Sequence, residues 1–315
     1  MTPIELSNAI YHNETAARKH LEAIRWPDGP VCPLCGTVEA SRPVKGKSMG
    51  EGWYYCTACQ RKYTVRVGTI YERSHIPLHK WLLAFRLMAS SKKGISAHQL
   101  HRTLNVTYKS AWFLAHRIRE AMRDDDPTPL GGKDKTVEAD ETFLGKPDSV
   151  FINGRGWVEK TGTASKLKVL TLVERGGKAR SVHVKDLTSK TLRGVLVTNI
   201  TRDTRLVTDE AQHYKSVGRE FAKHESVNHS AKEYARGDVT TNTVEGFFGI
   251  FKRGLKGVYQ HCGEQHLQRY LHEFDFRYSN RSALGVEDAE RTTLAIKGAE
   301  GKRLTYVPSR KAANG

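Results

Sequence analysis

Apolar and polar positions repeat with one period in the first part of the chain and another in the second. Residues 1–25 read as a short helix, broken by Trp26-Pro27-Asp28-Gly29-Pro30. RKYTVRVGTIY, from Arg61, alternates basic and β-branched residues and reads as a strand. IPLHKWLLAFRLMASS, from Ile76, has helical spacing and a proline near its start. GISAHQLHRTLNVTYKSAWFLAHRIREAM, from Gly94, reads as two helices separated at Asn105-Val106-Thr107. Ser96 and Thr107 are placed to cap them, and Leu100, Leu104, Ala111, Leu114 and Ile118 supply their apolar face. A short helix, a tight turn and a longer helix form the helix-turn-helix pattern; a plain helical hairpin has the same signature.

Beyond the Pro/Gly-rich stretch RDDDPTPLGGKDK the period falls to two. TVEADETFLG, KLKVLTLVE and ARSVHVKDL read as three strands, the last two joined by a turn at Arg175-Gly176-Gly177-Lys178. SKTLRGVLVTNI reads as a helix, TRLVTDEAQHY as a fourth strand ending at Asp209, and HESVNHS as a fifth. Two helices follow a turn at Arg236-Gly237-Asp238. NTVEGFFGIFKRG sets Phe247, Phe248 and Phe251 on one side, with Asn242, Glu245, Gly249 and Lys252 opposite. EQHLQRYLHEFDFRYSNR aligns Leu267, Leu271, Phe274 and Tyr278. A meander of three strands, a helix, two more strands and covering helices is an α/β order of the ribonuclease-H-like kind, a mixed sheet with helices. The expected domains are an N-terminal helix (1–25), a ribbon (26–72), a helix-turn-helix region (73–124), a linker (125–134), the sheet domain (135–295) and a basic tail (296–315).

Acidic residues at three places in this order need a reason. In TVEADETFLG, Val137 and Ala139 point one way and Glu138 and Asp140 the other. Asp140 therefore sits mid-strand, Asp209 at a strand end and Glu245 near a helix start. Each alone is compatible with a solvated acid. Together they can converge on one sheet edge, where carboxylates would hold Mg²⁺ with its waters and a substrate phosphate. Two such ions activate a nucleophile and stabilise a leaving oxygen in an in-line displacement. Lys252, two turns beyond Glu245, is placed to meet a phosphate.

Charge narrows the partner. Lysine and arginine exceed aspartate and glutamate by 51 to 34, a net charge of +17, spread along the chain with aromatics between. That favours a polyanion, and phosphate neutralisation with counterion release makes DNA the natural one. No apolar run has the length of a membrane span, and the N-terminus lacks a signal-peptide core, which predicts a cytoplasmic protein. Four of five cysteines form CPLC (Cys32, Cys35) and CTAC (Cys56, Cys59), the spacing of a zinc ribbon with four thiolates on one Zn²⁺. Cys262 stands apart as an ordinary thiol. SRPVKGKS, from Ser41, resembles part of a phosphate-binding loop, but serine replaces the first glycine and the stretch lies inside the ribbon, so ATP binding is rejected.

CPLC…CTAC, VEADETFLGK, LVTDEAQHY, NTVEGFFGIFKRGLKGVY and HLQRYLHEFDFRYSNR, in this order, resemble the bacterial insertion-sequence DDE transposases of the ISXO-two-like group. The resemblance covers nearly the whole chain. It implies a ribonuclease-H-like catalytic domain, Mg²⁺ or Mn²⁺ dependence, binding to terminal inverted repeats and target DNA, and a homo-oligomeric synaptic complex. Asp140 and Asp209 match the first two family acids and Lys252 the family lysine. The third acid position varies in the family; Glu245 is favoured because a carboxylate binds Mg²⁺ better than an amide, with Asn242 as the alternative. Glu141 and Glu210 are read as accessory or solvated, and His213 and His261 as structural or DNA-facing. Lys109, Arg117, Arg119, Arg253 and Lys256 are candidate DNA contacts. The competing readings are a catalytically inactive DNA-binding regulator built on the same fold and a nuclease that cuts without joining.

Overall fold

The computed structural model describes residues 5–305 apart from 47–48, 127, 146–148, 155, 160–165, 229–230, 232 and 234. The described chain forms two compact units, one from the residues up to Arg123 together with those from Arg281 onward, the other from Asp124 to Asn280.

In the first unit, α1 (Glu14–Arg25) is capped by Asn13, whose side chain accepts from the Ala16 amide. The ribbon sheet has the order β1 (Ser41–Pro43), β2 (Tyr54–Cys56), β3 (Lys62–Tyr63), all antiparallel. The strand expected after Cys59 is only these two residues long, because the chain then enters turns. Arg25 donates to the Val65 and Val67 carbonyls, and Arg66 to those of Ser74 and Ile76. Helix α2 (Leu78–Ser90) carries Trp81, Leu82, Phe85 and Met88 into the core.

The expected helix pair is α3 (Ala97–Leu104) and α4 (Tyr108–Ala121). Ser96 caps the Gln99 amide and Thr107 that of Ser110, each at 3.1 Å, and Asn105 takes a left-handed conformation between them. Helix α9 (Asp288–Lys297) belongs to this unit, so the sheet domain ends near Asn280 rather than at 295. The return is fixed by backbone bonds from Ile70 to the Ala299 carbonyl and from Gly301 to the Gly68 carbonyl. Part of the expected basic tail, from residue 306, lies outside the described residues.

The second unit is built on a five-stranded sheet. Strands β4 (Thr136–Leu144), β7 (Leu167–Glu174) and β8 (Ala179–Val184) form an antiparallel meander. Strands β9 (Arg205–Thr208) and β10 (Lys223–Ser226) add to the other side of β4 in parallel, giving the order β10-β9-β4-β7-β8. This order and these directions are the ribonuclease-H-like sheet. A short hairpin, β5 (Ser149–Ile152) and β6 (Gly156–Glu159), is inserted between β4 and β7.

One sheet face packs Val137, Ala139, Leu170, Leu172 and Leu206 against α5 (Ser189–Asn199) and α6 (Tyr214–Gly218). The other packs Val169 and Val173 against α7 (Asn242–Gly254) and α8 (Glu264–Ser279). The three α7 phenylalanines are at most 6% exposed, and each contributes about 1.5–3 kcal/mol of apolar burial. Asn242 and Glu245 remain exposed on the opposite side of that helix.

Candidate active site and zinc site

The placement of Asp140 and Asp209 follows from register. Parallel pairing matches Thr136 with Arg205, Val137 with Leu206 and Glu138 with Val207. Two residues further on, Asp140 and Asp209 stand level on neighbouring strands, which are about 4.8 Å apart. Asp209 lies at the carboxyl end of β9, where ligands of open α/β sheets bind. Asp140 pairs with Thr171 on β7, and Thr171 with Ser181 on β8. The Ser181 hydroxyl accepts from Thr171 at 3.0 Å and donates to Asp275 of α8 at 2.6 Å. A polar row thus crosses the sheet on its α7/α8 face at the level of the two aspartates.

Glu138 ties the helix that carries the third acid to this strand. It shares a strand face with Asp140, and its carboxylate is fully buried. It accepts from the Thr243 amide (2.8 Å), the Thr243 hydroxyl (2.8 Å) and the Val244 amide (3.0 Å). Helix α7 has no side-chain cap from its own N-cap residue, Thr241, so a strand carboxylate satisfies its first free amides. Arg175, in the β7–β8 turn, donates to Glu138 at 2.6 Å and to the carbonyls of Asp238 and Thr240 in the segment leading into α7. Sequence alternation marked the face of Glu138 but gave it no role.

The resulting electrostatics are those of crowded anions. Burial pushes the Asp140 carboxyl up to about 7, and the negative charges of Glu141, Asp209 and Glu245 add to it. The oxygens of Asp140, Asp209 and Glu245 are not drawn into one tight cluster: among the described residues only the cysteines bring three or more potential metal ligands within 4.8 Å of one another. Glu245 instead accepts from the Thr241 hydroxyl at 2.7 Å, and the Asp209 carboxylate accepts from the Ala211 amide at 3.0 Å. Glu141 is not solvated. Its side chain is 9% exposed and accepts from the Tyr214 hydroxyl, with His213 at 3.1 Å, on the opposite strand side from Asp140. Lys252 is half-buried, with its ammonium 5.9 Å from the Phe248 ring centre.

Among the candidate DNA contacts, Lys109, Arg253 and Lys256 are exposed. Arg117 and Arg119 are not. Arg117 is 9% exposed and donates to the Ile70, Glu72 and Leu304 carbonyls, and Arg119 is 2% exposed. Both are internal to the first unit as it stands, which removes them from its outer surface. His261 is exposed and Glu210 half-buried.

The ribbon cysteines come together across the two knuckles. Cys32 and Cys59 sulfurs are 3.7 Å apart, as are those of Cys35 and Cys56. A tetrahedron with metal–sulfur bonds of ~2.3 Å has an edge of ~3.8 Å, so the four sulfurs fit Zn²⁺. Gly36 at φ +73° and Gln60 at φ +57° make the knuckle turns. The Thr37 hydroxyl beside Cys35 pulls that thiol down to about 6.

The second unit thus joins a ribonuclease-H-like sheet to these acids, in a chain that also carries a four-cysteine ribbon. Residues 129–279 match the model of the ISXO2-like transposase domain, and residues 12–62 that of the transposase zinc-ribbon domain. The chain thus carries both domains found in these insertion-sequence transposases. An uncharacterized protein in transposable element ISH50 of Halobacterium salinarum is 28% identical over 292 residues, covering 88% of this chain and 93% of that protein. The Mos1 strand transfer complex aligns at 11% identity over 66% of this chain and 78% of its own, with a TM-score of 0.23. The mariner Mos1 paired end complex with Mg aligns at 10% identity over 67% and 75%, with a TM-score of 0.26. At such scores the fold assignment rests on strand order and direction. No helix among the described residues is long and apolar enough to cross a membrane.

Proposed function

We propose that the second unit cleaves phosphodiester bonds at the ends of an insertion sequence and joins the 3′-hydroxyls to target DNA. The observation that carries this reading is the level placement of Asp140 and Asp209 on adjacent parallel strands, with Glu245 held nearby through Glu138. Three carboxylates facing one region repel each other, and hard divalent cations with oxygen ligands relieve that repulsion. Asp140, Asp209 and Glu245 would hold Mg²⁺ or Mn²⁺, which when bound activates the attacking oxygen and stabilises the leaving one. Glu245 is preferred to Asn242 because a carboxylate binds Mg²⁺ better than an amide. Lys252 lies about 10 Å along α7 from Glu245, at 1.5 Å per residue, within side-chain reach of the next phosphate.

Exposed cations of both units, Lys109, Arg253 and Lys256 among them, suit a long DNA backbone. An element has two ends to be brought together, so the working form is a homo-oligomer. The test is a labelled end fragment incubated with Mg²⁺ and a plasmid target. Cleavage and joining are expected, both abolished in Asp140→Ala and Asp209→Ala with end binding retained. Activity surviving either substitution removes that residue from the site. Cleavage without joining would make the enzyme a nuclease, and binding without either would leave only a DNA-binding regulator.

A further inference from the structure

The ribbon sheet has two unlike faces. Tyr54 and Tyr63 pair across β2 and β3 with their rings stacked at 5.6 Å, and Trp26 packs edge-on against both. Tyr63 is fully buried, so this is the inner face. By strand alternation the next position belongs to the other face. There Arg42 pairs with Tyr55, and Tyr55 with Lys62, one residue from each strand in a continuous row. The Arg42 guanidinium lies 5.3 Å from the Tyr55 ring centre, a stacking that holds it extended along the sheet. Lys45 completes the border of a concavity of about 630 Å³ lined by Arg42, Pro43, Val44, Lys45, Tyr55 and Lys62.

These cations differ from others in the same unit. Arg18 pairs with Glu22 and Glu51, Arg25 with Glu300, and Arg66 with Glu14. Among the described residues no carboxylate pairs with Arg42, Lys45 or Lys62, and the Lys62 ammonium meets only the Met49 sulfur, at 3.3 Å. Three exposed cations on one short sheet, without internal counter-charges, make a positive face that favours an external anion. We infer that this outer face of the ribbon is a phosphate-binding surface for the backbone of duplex DNA. Arg42 and Lys62 contact phosphates from the two sides of Tyr55, and Lys45 contacts one at the rim. The surface positions DNA through its phosphates. It is separate from the acids of the second unit and does not depend on their role.

The measurement is fluorescence anisotropy of a mixed-sequence duplex with the full-length zinc-loaded protein, without magnesium, over about 50–200 mM salt. Each phosphate left unneutralised reduces the slope of log affinity against log salt by about 0.9. Arg42→Gln, Lys45→Gln and Lys62→Gln are each expected to reduce it by about that much, and the triple variant by about 2.7. Should the triple variant lose its zinc, the single variants carry the measurement. An unchanged slope in zinc-loaded variants overturns the inference. So does an equal drop in a variant with Lys19, Lys92 and Lys93 changed to Gln, which removes the same charge from other exposed sites. Tighter binding to a single strand than to the duplex overturns it as well. The slope is read without magnesium and without cleavage, so a failure of the catalytic reading leaves this result standing.

Discussion

Replacing Glu138 by alanine isolates the interaction that ties helix α7 to the sheet. The substitution removes the acceptor for four donors: Arg175, the Thr243 amide, the Thr243 hydroxyl and the Val244 amide. Losing an ordinary helix cap costs about 1 kcal/mol. Removing one partner of a buried ion pair costs about 3–5 kcal/mol, because the other is left uncompensated. The Arg175 side chain is 27% exposed and regains some water, which favours the lower end, about 3 kcal/mol. At about 2–4 °C per kcal/mol for a unit of this size, the unfolding midpoint should fall by about 6–12 °C. Glu138→Gln keeps the shape and one carbonyl acceptor and should fall less. Hydrogen exchange supplies the local readout, since the amides of Thr243 and Val244 should lose protection before the rest of α7. Apparent Mn²⁺ affinity should weaken in the same order, alanine more than glutamine, because Glu245 is then poorly placed. An alanine variant within about 1 kcal/mol of wild type, with both amides still protected, would refute the capping argument.

Other substitutions probe separate features. Glu245→Gln should reduce Mn²⁺ binding and strand transfer more than Asn242→Ala; the reverse order would make Asn242 the ligand. Burial pushes Asp275 up to about 7 despite its bonds from Ser181, so the folded state holds a proton that the unfolded chain releases near 4. Its stabilising share is complete below pH 4 and is lost as pH rises to 7, at up to about 1.4 kcal/mol per pH unit, and Asp275→Asn should flatten the stability profile over that window. Arg117→Ala should lower stability by about 3 kcal/mol through three abandoned carbonyls, and a variant that folds as well as wild type would make Arg117 a surface cation again. Metal analysis should find one zinc per chain, absent from Cys56→Ser along with the folded ribbon.

What could be read from the chain had local causes. The α7 phenylalanines declared their face through helical spacing, the caps at Ser96 and Thr107 declared the α3 and α4 starts, and paired CxxC motifs declared the ribbon. The mid-strand position of Asp140 was legible from the two-residue alternation of TVEADETFLG. What escaped depends on partners distant in sequence. Glu138 meets donors 37 and 105 positions away, which alternation within one strand cannot announce. Glu141 is claimed by His213 and Tyr214, which adjoin or lie in a helix of five residues, too short for a pattern. Arg117 and Arg119 looked like surface cations because arginine usually is one, yet carbonyls of distant turns draw Arg117 inward. The β5–β6 hairpin has strands of four residues, below the length at which a period of two stands out.

The discontinuous first unit depends on the latest part of the chain to be made. A ribosome that has completed the sheet and α8 has not yet made α9 or the strand-like segment that bonds to Gly68 and Ile70. The second unit is contiguous in sequence and needs nothing translated after Asn280, whereas the first needs its last piece. A frameshift or stop codon just past Asn280 would leave every residue of the ribbon, α3 and α4 translated but their scaffold unfinished. A product cut short there would be expected to keep its ribonuclease-H-like sheet and lose the stability of the first unit.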